Sequence, residues 1–288
     1  MTRLAPLEKA TLQAFAMFLT VGCGPAQSTR RDVVVEVPRH ASEAPHPSAN
    51  ETIIVDDSPP RAPPDDAIAK VRDPRLGRPP RSKALLATEA TQLEVLLKVT
   101  PTNAPDRQAV LRRLAEAYVE LGRVGGPSER AARAKAIDAY STWLKENPSA
   151  PRKDEVLYYL ALEQERVGNT PDAMRGLHAL VTDLPDSSWA RGAYLAFGER
   201  FFAQVSQGRA DLDAGVIALE AYRKVGEKSS PPQRWVGLAL VRTAQLHGAL
   251  GHADEAAAAR ATARAYLTEH ADQPEAAPLL SLLDETKR

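Results

Sequence analysis

The stretch EVLYYLALEQERVGNTPDAMRGLHALVTDLP (residues 155–185) reads as two helices joined by a tight turn. Leu157, Leu160 and Ala161 share one helical face, and Gly168 stands eleven residues after Leu157, where a left-handed helix end is wanted. Five residues further on, Ala173 opens a second periodic run with Leu177 and Leu180, which Pro185 stops. The small residue lets two helices approach closely, and the larger apolar ones fill the space between them.

The same two phrases recur along the chain. The first returns as Leu111, Leu114, Ala115, Gly122, then as Leu240, Thr243, Ala244, Gly251, and more weakly as Tyr194, Phe197, Gly198 with Val205 in place of the closing glycine. The second returns as Ala136, Tyr140, Trp143, Pro148, with weaker copies at Ala218, Tyr222, Val225 and at Ala256, Arg260, Ala263. Starts at 111, 157, 194 and 240 define a 37-residue unit that carries nine extra residues in its first and third copies. Four helical pairs follow. Residues 83–99 form an amphipathic helix that covers the first pair, and a helix over 273–286 closes the last, because an open stack of helical pairs needs caps at its ends. The expected fold class is therefore an all-α solenoid over residues 83–288.

These residues resemble the tetratricopeptide repeat, a helical hairpin of about 34 residues. Three extra residues after the closing proline, in PSAPRKDE (148–155) and PDSSWARG (185–192), are similar to the longer variant found in envelope assembly proteins of Gram-negative bacteria. The resemblance covers about residues 107–270 and implies that the first helix of each pair lines a concave groove. It assigns to that groove Arg112 and Glu116, then Tyr158, Leu162 and Arg166, then Leu195, Glu199 and Phe202, then Val241 and Gln245. Tyr158, Leu162, Leu195 and Phe202 lie off the packing stripe and are expected to form an exposed strip that binds a peptide or helix of another protein. The phrases at 100–121 and 184–202 resemble those in lipoproteins of bacterial gliding-motility envelope complexes and, more loosely, accessory lipoproteins of outer-membrane protein assembly. Other envelope proteins are thus the expected partners, with a periplasmic regulator that docks on a peptidoglycan enzyme or on the outer-membrane protein assembly machinery as the alternative.

The chain before the repeats has a different texture. Residues 1–22 carry Arg3 and Lys9 ahead of a mostly apolar stretch too short to span a bilayer, the pattern of a signal peptide. LTVGC (19–23) resembles a bacterial lipobox, which implies acylation of Cys23, the chain's only cysteine, and an outer-membrane, periplasm-facing location. From residue 24 to 81 fall 11 of the 23 prolines with almost no aromatic residue, so residues 23–82 are expected to be a disordered, lipid-anchored linker.

Composition narrows the function. Thirty-seven basic and 37 acidic residues cancel, leaving no overall field for nucleic acid. The sequence contains no phosphate-binding loop, no His-Glu-x-x-His and no nucleophile elbow. A non-enzymatic protein without cofactor, metal or small-molecule substrate is expected, acting through its surface.

Overall fold

The computed structural model describes residues 64–126, 128–208, 212–227 and 234–285, so the expected signal peptide, Cys23 and the first part of the expected linker lie outside the described residues. Within them the chain is helical. Four helical pairs follow one another: α3 (Arg107–Arg123) with α4 (Glu129–Glu146), α5 (Lys153–Arg166) with α6 (Thr170–Asp183), α7 (Ala190–Ser206) with α8 (Leu212–Gly226), and α9 (Arg234–Ala249) with α10 (Ala253–Glu269). Each second helix also packs on the first helix of the next pair, which makes the stack a helical solenoid. α2 (Lys83–Val99) covers α3, and α11 (Ala276–Glu285) lies against α9 and α10.

The residues that mark the repeats are the ones that close the pairs. Ala136, Ala173, Ala218 and Ala256 are buried, and so are Tyr140, Trp143, Leu177, Leu180, Tyr222 and Val225 beside them. Gly168 and Gly251 have positive φ at the turns, as a left-handed helix end requires. Gly122 differs from expectation. It lies inside α3, where an added Cβ would sit 3.0 Å from Arg133 Cγ, so it is small to admit α4; the positive φ of that turn falls at Gly125 and Gly126. The first pair takes up its nine extra residues mainly as helix: α3 and α4 have 17 and 18 residues where α5 and α6 have 14 each. In the third pair the turn glycine is Gly208, three residues beyond Val205.

The largest departure from the sequence reading lies in the expected linker. Residues 64–72 form a helix, α1 (Pro64–Arg72), followed by a 3-10 turn over Pro74–Gly77, and α1 packs against α7, α9 and α11. Asp73 sets the turn: it is the N-cap, its carboxylate accepts from the Arg75 backbone N–H at 3.1 Å, and Pro74 follows at the first turn position, where its missing N–H costs nothing. Proline content argued for a loose tether here, but these prolines bracket short ordered elements instead.

Candidate functional site: the inner face and its strap

The first helices of the pairs line one face of the solenoid, and residues 64–81 run across it as a strap. The strap starts at the fourth pair and ends at the first, against the order of the repeats. At its start Val71 is fully buried and its carbonyl accepts from Trp235 Nε1 of α9 at 3.0 Å. The next carbonyl, of Arg72, accepts from the Tyr158 hydroxyl of α5 at 2.7 Å. Both carbonyls belong to the last turn of α1, where helix geometry supplies no partner, so two groove side chains complete the helix end. Burial pushes the Tyr158 phenol well above its ordinary pKa and keeps it a neutral donor. Tyr158, Tyr159, Trp189 and Trp235 form one aromatic cluster with neighbouring ring centroids 5.0–6.0 Å apart. Gly192 makes room for it, since a Cβ there would lie 2.7 Å from the Tyr158 ring and 2.8 Å from that of Trp235.

Beyond Arg72 the strap is held by charge. Asp73 and Glu163 are fully buried carboxylates. Asp73 accepts from Arg75 Nε and Nη2, both at 2.8 Å, and from Arg166 Nη2 at 2.7 Å. Glu163 Oε1 accepts from Arg75 Nη2 at 2.8 Å and Arg166 Nη1 at 2.5 Å, while Oε2 accepts from Arg133 Nη1 at 3.0 Å. Burial works to raise the Asp73 carboxyl, but the Arg75 and Arg166 guanidiniums outweigh it and hold the group well below the usual carboxylate range. Arg75 also donates to the Tyr140 hydroxyl at 3.0 Å and stacks 4.0 Å over the Tyr159 ring. Arg72 Nη2 meets Glu165 at 2.5 Å, although its Nε is buried with no hydrogen-bond partner.

At the far end Arg123 of α3 donates to the carbonyls of Arg75 at 2.9 Å and Arg78 at 2.8 Å. Arg81 then forms a two-pronged pair with Glu120, both bonds 3.0 Å, and meets Glu89 at 2.6 Å. A cleft of about 470 Å³ beside the turn is lined by Lys70, Arg78, Arg123, Arg133 and Arg166 without a carboxylate.

The residues assigned to the groove divide accordingly. Tyr158 and Arg166 bind the strap. Leu162, Leu195 and Val241, with Tyr158, are buried and do not form an exposed strip. The correction has a physical cause: first helices pack on their neighbours, and the inner face is covered by α1 and the turn, so apolar residues off the hairpin stripe are buried too. Phe202 is half-buried with the Arg242 guanidinium 4.5 Å over its ring. Glu199 accepts from Arg242 at 2.9 and 3.1 Å and from the Tyr222 hydroxyl at 2.8 Å. Gln245 accepts from Arg242 at 2.7 Å and donates to the Leu282 carbonyl at 3.4 Å. Arg112 and Glu116 pair with each other at 3.7 Å.

Sequence reasoning missed Glu163, Trp235, Tyr140, Arg123 and the strap's Asp73 and Arg75. The one available signal was Asp-Pro at 73–74, a helix-start pair inside supposed linker. No match was found among protein-family models, curated proteins or solved structures.

Proposed function

We propose that the protein is a tetratricopeptide-type scaffold of the bacterial cell envelope, anchored to the outer membrane through acylated Cys23, that holds other envelope proteins by their polypeptide segments. The single observation that carries the binding role is the inner face itself: Tyr158, Trp235 and Arg123 donate to main-chain carbonyls of an 18-residue segment, while carboxylates and guanidiniums read its side chains. Recognition of backbone with selective charge pairing is how a surface takes a peptide. The repeat-family assignment rests on the glycine, alanine and proline phrases, the anchor on LTVGC, and the gliding-motility association on resemblance alone.

The test is crosslinking and pull-down of the wild-type protein from membranes beside Cys23→Ala. Labelling of wild type by a fatty-acid analogue, loss of outer-membrane sedimentation in Cys23→Ala, and recovery of barrel or motility-complex proteins are expected. An unlabelled wild type would refute the anchor. Recovery of a peptidoglycan synthase or hydrolase instead would refute the scaffold in favour of a regulator of wall enzymes.

A further inference from the structure

The strap buries little apolar surface. Of its described apolar side chains only Ala67 and Val71 are buried, and the 3-10 turn contains no buried residue. A nine-residue helix is marginal on its own. What fixes the rest is a set of ion pairs taken out of water, whose attraction is largely offset by the cost of desolvating them. The balance of these ion pairs, rather than an apolar core, therefore decides how readily the segment opens.

With the strap lifted, the inner face offers a defined chemistry. Arg166 loses its bond to an acid, Glu163, Glu165 and Glu120 each lose an arginine, and Tyr158, Trp235 and Arg123 lose backbone carbonyls. Of the residues that line the cleft beside the turn, Arg123, Arg133 and Arg166 stay with the helical pairs when the strap leaves, so an incoming acid still meets cationic side chains.

We propose that the strap is a resident ligand, and that the inner face binds in its place a segment of another polypeptide with the same chemistry: a short apolar helical turn followed by arginine, an acid, proline and arginine. This rests on the scaffold reading and names the kind of segment the scaffold takes. A resident ligand on the same chain acts at an effective concentration on the order of millimolar, so an incoming segment competes poorly until the strap is loosened. Substitutions in the strap therefore create binding in trans, and substitutions in the face beneath it abolish that binding.

The experiment uses purified full-length protein and a fluorescent peptide of residues 64–81, with no membrane or cellular partner, so its result is independent of the pull-down. Wild type is compared with Asp73→Ala/Arg75→Ala and with the same double variant also carrying Trp235→Phe. In the double variant, helical circular dichroism should be retained, amide exchange over residues 71–78 should be at least tenfold faster, and the peptide should bind at least tenfold tighter than to wild type. Adding Trp235→Phe should remove most of that gain. The proposal is overturned if the double variant binds the peptide no better than wild type, if its strap amides stay as protected as in wild type, or if the gain survives Trp235→Phe. Wild type in excess peptide supplies a second readout should the double variant lose its fold: its strap amides should exchange faster, and an unchanged rate overturns the idea.

Discussion

Replacing Trp235 by phenylalanine tests whether the strap ties the fourth helical pair to the rest of the molecule. The indole is fully buried, and its N–H is bonded to the Val71 carbonyl at 3.0 Å. Phenylalanine leaves that carbonyl buried and unsatisfied, which costs about 1–3 kcal/mol. The missing part of the indole leaves a void of roughly 40 Å³, worth about 1 kcal/mol at the usual cavity rate. The total is about 2–4 kcal/mol. Trp143→Phe is the matched control, because Trp143 is equally buried and its Nε1 donates to the Gln108 carbonyl at 3.1 Å, away from the strap. Urea unfolding followed by circular dichroism should show a loss for both variants, smaller for Trp143→Phe because the Gln108 carbonyl lies inside α3 and keeps its helical partner. Native-state hydrogen exchange should separate them: residues 71–78 lose protection beyond the global shift in Trp235→Phe and not in Trp143→Phe. Equal strap protection in both variants would refute the strap's attachment through Trp235.

Close packing gives a second test. An added Cβ at Gly198 runs into the Tyr222 ring, whereas one at Gly176 lies at an ordinary 3.8 Å from Ala161 Cβ. Gly198→Ala should lower the urea-derived stability by about 1–3 kcal/mol, while Gly176→Ala should leave it unchanged or raise it by up to about 1 kcal/mol through helix propensity; the reverse order would show the helix contacts to be misplaced. Acid gives a third. Asp73 has a folded pKa below its unfolded value of about 3.9, so its stabilisation is fully present above that pH and fades as pH falls toward the folded value. The stability deficit of Asp73→Asn relative to wild type should hold steady from pH 7 to 5 and shrink below about pH 4; a deficit that is flat down to pH 2 in urea titrations would exclude the carboxylate as its source.

The helical pairs were legible because local rules and packing agree there. Ala136, Ala173, Ala218 and Ala256 are small for the same reason that they are buried, and Gly168 and Gly251 end helices by their own backbone preference. Gly122 was misread because a glycine near a helix end has two uses, and close approach to Arg133 won over the cap. The strap escaped because its stability is not local. Composition marks VRDPRLGRPPR (71–81) as too poor in apolar residues to build a core of its own; what orders it are carbonyl bonds from Trp235 and Tyr158 and ion pairs to Glu163, Arg166 and Glu120, all far along the chain. The apolar character of Tyr158, Leu162 and Leu195 suggests an exposed strip for a partner, whereas all three are buried. Nothing in their pattern said that the cover lies upstream in the same chain.

The direction of the strap decides where a mechanical load would act. Any pull transmitted through the chain before residue 64 reaches the solenoid at α1, seated on α7, α9 and α11, and not at the first helical pair that follows in sequence. Tension there would peel the segment from one end: the apolar seat of Ala67 and Val71 first, then the Asp73 and Arg75 pairs, and Arg81 last. Bonds broken one after another yield at a smaller force than bonds sheared together, so the segment would give way before the helical pairs were strained. Each residue supplies at most about 3.6 Å of extended chain, so the released segment could reach roughly 60 Å between residue 64 and α2 with the repeats still folded. Residues 64–81 would thus work as a mechanical fuse between the chain before residue 64 and the helical pairs.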